Sequence, residues 1–236
     1  MNSFPKEPLK EKIIEYIYNA IINEEFTQGS QVKELYLSQK LEVSRAPIRE
    51  ALSELVSLGI LEQIVRKGVF VKEINSKDIF DTYESKGIIE GFLAVEFALH
   101  ANEHDFILLD QYVQQMSDIK NDRRKVVKVG ELFHKHTLKY ARNSIFLDTL
   151  EKINKKSQIL FFKNWAKLYT LEEVKYRHQK IADALKSRDK KMVEEVIREH
   201  YFETGTKIVL LRELKWYIQK LHFVLQWEEF LKNLLL

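Results

Sequence analysis

The chain has 236 residues, 45% of them hydrophobic and 31% charged, a composition that is ordinary for a globular protein with a sizeable core. The absence of cysteine excludes disulfides, thiolate metal sites and a cysteine nucleophile. The sequence has neither a signal-like N-terminal segment nor an apolar run of roughly 18 residues, so we expect a cytoplasmic protein without a membrane span. A formal net charge of +3 is too small to indicate nucleic-acid binding, which has to be argued from where the charges lie.

Three helices are predicted at the start of the chain. Apolar residues follow a helical period over residues 9–25, and a second, shorter helix is expected over about 32–40. Ser44 is a good N-cap for a third helix, in which Pro47 is tolerated because the first turn needs no hydrogen bond from its nitrogen. Gly59 is expected to end that helix.

A β-hairpin is predicted after the third helix. Two short runs of strand-forming residues flank Arg66, Lys67 and Gly68, which would form a basic, glycine-bearing tip. Helix, helix, helix and hairpin in this order are typical of a winged helix-turn-helix, which binds DNA. We therefore predict a DNA-binding domain of this kind over residues 1–74.

The rest of the chain, residues 75–236, lacks strand signals and follows a helical period. The predicted fold is thus mainly α, with an N-terminal winged helix-turn-helix followed by a C-terminal antiparallel all-helical bundle that has its own core. Ser76 is available to cap the first helix of the bundle. The helices of the bundle are expected near 77–101, 104–119, 123–142, 145–165, 171–187, 190–211 and 215–234.

Two arginines, Arg45 and Arg49, lie four residues apart at the start of the third helix and so share one side of it. In a helix-turn-helix the second helix of the motif enters the major groove with its N-terminal residues at the base edges. Arginine can bond a guanine edge or a phosphate with two parallel hydrogen bonds. Ser44 could also touch a phosphate, and the hairpin residues Arg66 and Lys67 could reach the DNA backbone or the minor groove. The alternative is a solvated helix face on which the arginines pair with Glu50 or Glu54.

The segment VSRAPIREALSELVSLGILEQIVRKGVFV, residues 43–71, resembles the N-terminal domain of GntR-family transcription regulators. The family pattern runs V-S-R-x-P-[VI]-R-E-A-L, then L-x-x-x-G-[LI], then a wing that ends in G-x-x-V. The resemblance covers about residues 9–72. It implies binding to double-stranded operator DNA as a homodimer, with Arg45, Arg49 and the wing at Gly68 contacting the DNA.

Three histidines, His134, His178 and His200, fall on three separate predicted helices. A helical bundle could aim them at one interior point, where neutral imidazoles would suit a divalent metal such as Zn²⁺ or Ni²⁺. The alternatives are unrelated surface or core histidines, or a pocket without metal in which they bond a ligand or water directly.

The segments LFHKHTLKYARN, RHQKIADALKSRD and VIREHYFETG resemble the FCD effector domain of the FadR-type branch of the GntR family. The motifs of that domain run D-x-x-F-H, then H-x-x-I-x-x-A-[LI]-x-x-x-D, then a histidine about twenty residues later. His134, His178 and His200 occupy the three histidine positions. The resemblance implies that they hold a divalent metal, together with a carboxylate, and that the metal helps to bind a small organic acid as effector.

Two positions depart from the FCD pattern. Gly130 stands in place of the aspartate, and Glu131 could replace it only with a shifted geometry, roughly 100° further round a helix. Lys86 stands in place of an arginine in the motif E-x-R-x-x-[LI]-E, and lysine lacks the bidentate fork of a guanidinium group. Asn143 falls where the family has A-x-N, although it could equally cap a helix C-terminus. The predicted effector contacts are Lys86, Glu131 and Asn143.

We therefore expect a ligand-responsive transcription regulator, a repressor rather than an activator, whose two copies place their recognition helices about one DNA turn apart. The first alternative is a regulator in which the metal ion itself is the signal. The second is a metal-dependent hydrolase or lyase that uses the three histidines with Glu131 as base. The DNA-reading half of the sequence argues against the enzyme.

Overall fold

The computed structural model describes residues 9–119 and 123–234, with side chains throughout except at 123–124, 161–166 and 215–234. Within these residues the protein is mainly α, with one two-stranded sheet, which confirms the predicted fold class. None of the described helices is both long and apolar enough to cross a membrane. The elements are α1 (Leu9–Ile22), α2 (Glu34–Leu41), α3 (Arg45–Ser57), β1 (Leu61–Ile64), β2 (Gly68–Val71), α4 (Ser76–His100), α5 (Glu103–Asp118), α6 (Arg123–Thr137), α7 (Ser144–Leu168), α8 (Leu171–Ser187) and α9 (Lys190–Leu234).

The first three helices pack around one hydrophobic core. The apolar stripe of α1 buries Ile13 and Ile17, and the stripe of α3 buries Ile48 and Leu55. Burying an aliphatic side chain of this size contributes about 1.5–3 kcal/mol. These contacts hold α3 in place, so that its opposite, polar face is presented to solvent.

The hairpin after α3 completes the winged helix-turn-helix that the sequence predicts. Its strands pair antiparallel, from Leu61 opposite Val71 to Ile64 opposite Gly68. Ser44 occupies the N-cap position of α3, as predicted, although its side chain makes no capping hydrogen bond within the described residues.

The second half of the chain forms a helical bundle with a hydrophobic core of its own. Helices α4 and α9 approach closely because two glycines of α4 face the backbone of α9. A Cβ atom on Gly87 would lie 3.1 Å from Cα of Arg198, and one on Gly91 would lie 3.2 Å from the carbonyl oxygen of Glu194. Larger side chains at these positions would push the two helices apart.

Several helix boundaries differ from the predictions, three of them in ways that change the description of the bundle. α9 is one continuous helix, so the predicted division into 190–211 and 215–234 is wrong; neither glycine nor proline interrupts the sequence after Gly205. α6 ends at Thr137 and does not reach 142. Asn75, rather than Ser76, caps α4, since its side chain accepts a hydrogen bond from the backbone of the third helical residue.

Helix α7 contacts both hydrophobic cores. Ile159 is buried in the core of the winged domain, whereas the next residue, Leu160, is buried in the core of the bundle. The hydroxyl group of Tyr18 on α1 donates to the backbone carbonyl of Lys155 and to Oε1 of Gln158, the second at 3.0 Å. This helix therefore joins the two halves of the protein through packing and through hydrogen bonds.

Candidate functional site

The exposed face of α3 carries Arg45 and Arg49, which the sequence predicts as DNA contacts. Nε of Arg49 lies 2.8 Å from Oε2 of Glu34 at the start of α2, and 65% of the arginine side chain is exposed. An ion pair at such exposure contributes little to stability, so it can be exchanged for a phosphate or a base edge at low cost. The alternative, in which Arg49 pairs with Glu50 or Glu54 of α3, differs from the structure, where its partner is Glu34.

The side chains of Arg66 and Lys67 are exposed at the tip of the hairpin. The backbone at the tip is held by Gln31, whose Nε2 donates to the carbonyl oxygen of Lys67 at 2.7 Å. Gly68 has a φ of +111°, and a Cβ atom on it would lie 2.8 Å from the same Nε2. Glycine is therefore required at this position to shape the wing.

His134 on α6, His178 on α8 and His200 on α9 come together inside the bundle, as the sequence analysis predicted for a shared site. Their ring centroids are 5.1–5.2 Å apart, and one nitrogen from each ring lies within 4.8 Å of the others. Three imidazole nitrogens at this spacing can surround one metal ion after small side-chain adjustments.

The hydrogen bonds and burial of these rings suit metal binding. Nδ1 of His178 donates to the carbonyl oxygen of Val174 at 2.8 Å, which leaves Nε2 as the nitrogen with an open lone pair. Nδ1 of His200 is buried and has no hydrogen-bond partner among the described residues. Burial lowers the pKa of His178 to about 3 and the pKa of His200 well below its usual value. Both rings are therefore neutral at pH 7, which is the form that binds a metal.

Glu90 on α4 lies behind His134 and is only 1% exposed. Its Oε1 accepts from Nδ1 of His134 at 2.6 Å, and the hydroxyl of Tyr201 donates to both carboxylate oxygens at 2.9 Å. Burial alone would raise the pKa of Glu90, but the neighbouring His134 and Lys86 outweigh it and lower the pKa. The ionised carboxylate thus fixes the orientation of the His134 ring, as outer carboxylates do for metal-binding histidines.

A cavity of about 320 Å³ adjoins the three histidines. Lys86 lines it, with its Nζ 3.4 Å from Oγ of Ser157 and 4.6 Å from the ring centre of Tyr201. Burial lowers the pKa of Lys86, although Glu90 and Glu131 oppose that effect. The cavity thus places the amine of Lys86 beside a potential metal ligand set, and the protonated form of this amine suits a small anion.

Arg177 is a cavity residue that the sequence analysis missed. Its guanidinium group donates to the carbonyl oxygen of His200, to Oγ1 of Thr204 at 3.0 Å and to the carboxylate of Glu203, and it lies over the ring of Tyr169. It directly precedes His178 in the sequence, but nothing in the spacing indicated which helix it would contact. Glu90 was missed in the same way, since it occupies the last position of the motif E-x-R-x-x-[LI]-E but had no role assigned to it.

The predicted effector contacts have different outcomes. Lys86 and Glu131 line the cavity, and Oε1 of Glu131 accepts from Nε2 of Gln158 at 2.7 Å. Asn143 is not among the described residues that line it. Its side chain caps the N-terminus of α7 by accepting from the backbone nitrogen of Phe146 at 3.1 Å, so the alternative role as a helix C-cap is wrong, and the effector contact stays a prediction.

Comparisons with known proteins agree with this architecture. Residues 9–71 match the family "Bacterial regulatory proteins, gntR family", and residues 81–203 match the FCD domain. The solved structure described as "E. coli McbR/YncC" has the same fold, with a TM-score of 0.70 at 16% identity, and the match covers 88% of this chain and 100% of that one.

Two relatives that are named as repressors match over most of the chain. The HTH-type transcriptional repressor RspR of Escherichia coli (strain K12) is 23% identical, over 89% of this chain and 92% of the relative. The probable D-xylose utilization operon transcriptional repressor of Paenarthrobacter nicotinovorans is 22% identical, over 80% and 84%. Because the chain matches a family of bacterial regulatory proteins and these relatives are named as repressors, the comparisons do not support the enzymatic alternative. The chain therefore belongs to the gntR family of bacterial regulatory proteins, as a DNA-binding transcriptional regulator that carries an FCD domain.

Proposed function

We propose that this regulator binds a small organic acid in the cavity of its helical domain and that binding changes its affinity for operator DNA. The observation that carries the proposal is the convergence of three imidazole rings on a cavity that Lys86 also lines. A thermal-shift screen of small carboxylates, each with and without Zn²⁺ or Ni²⁺, tests it. A stabilising carboxylate supports the proposal, and the absence of any shift across the panel contradicts it.

The residues present fit a divalent metal. His134, His178 and His200 would hold Zn²⁺ or Ni²⁺, with Glu90 and the carbonyl of Val174 orienting two of the rings from behind. The bound metal would supply a Lewis-acidic position for a carboxylate oxygen. Among the chain's own groups, Lys86 would attract the same anion as a point charge.

Helix α7 supplies a physical connection between the cavity and the DNA-binding domain. On its cavity side, Oγ of Ser157 accepts from Lys86 and Nε2 of Gln158 donates to Glu131. On its other side, Oε1 of Gln158 accepts from Tyr18 of the winged domain. Gln158 therefore bonds both halves at once, so an anion that recruits Lys86 or displaces Glu131 would shift the position of α7 against α1.

Replacing Tyr18 by phenylalanine tests this connection. We expect Tyr18→Phe to bind operator DNA normally without effector but to lose much of the effector's influence, since coupling between sites typically amounts to about 5–150-fold in affinity. The dissociation constant for DNA would be measured by fluorescence anisotropy with and without the carboxylate that gives the largest thermal shift.

Tyr16→Phe is the matched control. Tyr16 also lies on α1, but its hydroxyl donates to Glu25 within the winged domain. This variant should respond to the carboxylate as the wild type does. An unchanged response in Tyr18→Phe would show that α7 does not carry the signal through that hydrogen bond.

A homodimer on a pseudo-palindromic operator completes the proposed arrangement, with the winged domain over residues 1–74 and the effector and dimerisation domain over 75–236. The exposed apolar side chains of Ile88 and Phe92 on α4 support a surface for a second copy.

Repression is the proposed direction, since two relatives are named as repressors. A metal-sensing regulator is the second candidate, because the same three histidines would bind an ion without any acid.

A further inference from the structure

We infer that metal and carboxylate bind in this cavity cooperatively, because the described residues supply no carboxylate ligand, and that this dependence arises from the glycine at position 130. The inference rests on the proposed three-histidine metal centre and specifies how that centre is completed. The carboxylate of the ligand would take the place that a protein side chain leaves open.

The ligand set of the described residues contains nitrogen atoms alone. No oxygen of an aspartate or glutamate in the described part of the chain joins the group formed by His134, His178 and His200. The carboxylate of Glu90 is engaged with Nδ1 of His134 and with the hydroxyl of Tyr201. Glu131 accepts a hydrogen bond from Gln158. Neither glutamate is thus placed to complete the metal's coordination.

Gly130 lies at a place on α6 from which a short side chain would reach this centre. It precedes His134 by four residues, so the two positions lie one above the other on the same helix face. A Cβ atom on Gly130 would lie 3.7 Å from Nε2 of His178. The lone pair of this nitrogen is free to bind a metal, because the other ring nitrogen of His178 bonds the carbonyl oxygen of Val174. That distance is an ordinary van der Waals contact, so a side chain would fit there. Glycine has no side chain, and its backbone forms part of the cavity wall.

The charges around the centre favour an anion from outside. Three neutral imidazoles give a divalent ion no coordinating anion. The cavity lining adds the cations Lys86, Lys135 and Arg177 against the carboxylates Glu90 and Glu131, so positive charge is in excess once the ion is bound. Like charges at close range in a poorly solvated site repel strongly. A bound carboxylate reduces that repulsion and can coordinate the ion at the same time. Because linkage is reciprocal, the anion must then raise the affinity for metal by the same factor as the metal raises the affinity for the anion.

Isothermal titration of the full-length protein with Ni²⁺, in buffer with and without acetate, tests the inference. We expect acetate to raise the affinity of the wild type for Ni²⁺ by about tenfold, within the usual range for coupled sites. In Gly130→Asp a carboxylate is built into the chain, so Ni²⁺ should bind tightly without acetate and the effect of acetate should fall to less than about twofold.

Gly130→Ala is the matched control, since it adds the Cβ atom and the helix propensity of alanine without the charge. Because alanine brings no carboxylate, the affinity of this variant for Ni²⁺ should still rise when acetate is added. Equal affinity of the wild type for Ni²⁺ with and without acetate would overturn the inference but not the proposed metal centre. A Gly130→Asp variant that still needs acetate to bind Ni²⁺ would overturn the inference in the same way. If neither protein bound Ni²⁺ under any condition, the three-histidine centre itself would be wrong. The wild-type comparison decides the matter even if the aspartate variant does not fold.

Discussion

Replacing both Arg45 and Arg49 by alanine is expected to abolish specific operator binding. The two side chains are exposed on the face of α3 that the hydrophobic contacts with α1 direct outward. A bidentate arginine contact with a base is worth about 1–3 kcal/mol. Losing two such contacts should therefore weaken binding by about 2 kcal/mol or more, which is at least about thirtyfold.

The measurement is fluorescence anisotropy on a DNA fragment that the wild type selects from a randomised pool. The control is Lys190→Ala with Lys191→Ala, which removes the same number of charges from exposed positions at the start of α9. This control should bind the fragment as the wild type does at the same salt concentration. Wild-type affinity of the arginine variant would remove α3 as the recognition helix.

His178→Ala is expected to remove the stabilisation of the protein by divalent metal. In the wild type, Zn²⁺ or Ni²⁺ at about a hundred times its dissociation constant should raise the free energy of unfolding by about 2.7 kcal/mol. The alanine variant loses one of three ligands and should show little change. Because the substitution also opens a void in the core, each protein is compared with itself, with and without metal and in the presence of acetate, by thermal denaturation.

His136→Ala serves as the control for this experiment. His136 lies on α6 two residues from His134, but its Nε2 bonds the carbonyl oxygen of Asp105 at 3.1 Å and its ring packs beside Phe97. Its replacement should leave the response to metal intact. A full metal response in His178→Ala would mean that the ion binds elsewhere.

The sequence sufficed to predict the winged domain because its signals are local. Helical periodicity, the proline in the first turn of α3 and the glycine at the wing each act within a few residues. The three histidines were predicted to converge because they match spaced motifs, and the bundle brings them together. In each of these cases a short segment carries the information.

Features that depend on which helices face each other were missed. Arg177 and Glu90 gain their roles from contacts with α9 and α6, which no spacing within their own helices indicates. Asn143 is the opposite case, since it matches the family motif but its side chain caps the N-terminus of α7. The predicted division of α9 between 211 and 215 is wrong because neither glycine nor proline breaks the helix there.

The most direct test of ligand control is the affinity of the wild type for its selected DNA fragment, measured with Ni²⁺ and the stabilising carboxylate and again without them. If the cavity governs DNA binding through α7, the dissociation constant should change by at least about fivefold, and the change should vanish in His178→Ala. An identical dissociation constant under both conditions, with metal and acid shown by calorimetry to be bound, would contradict this account.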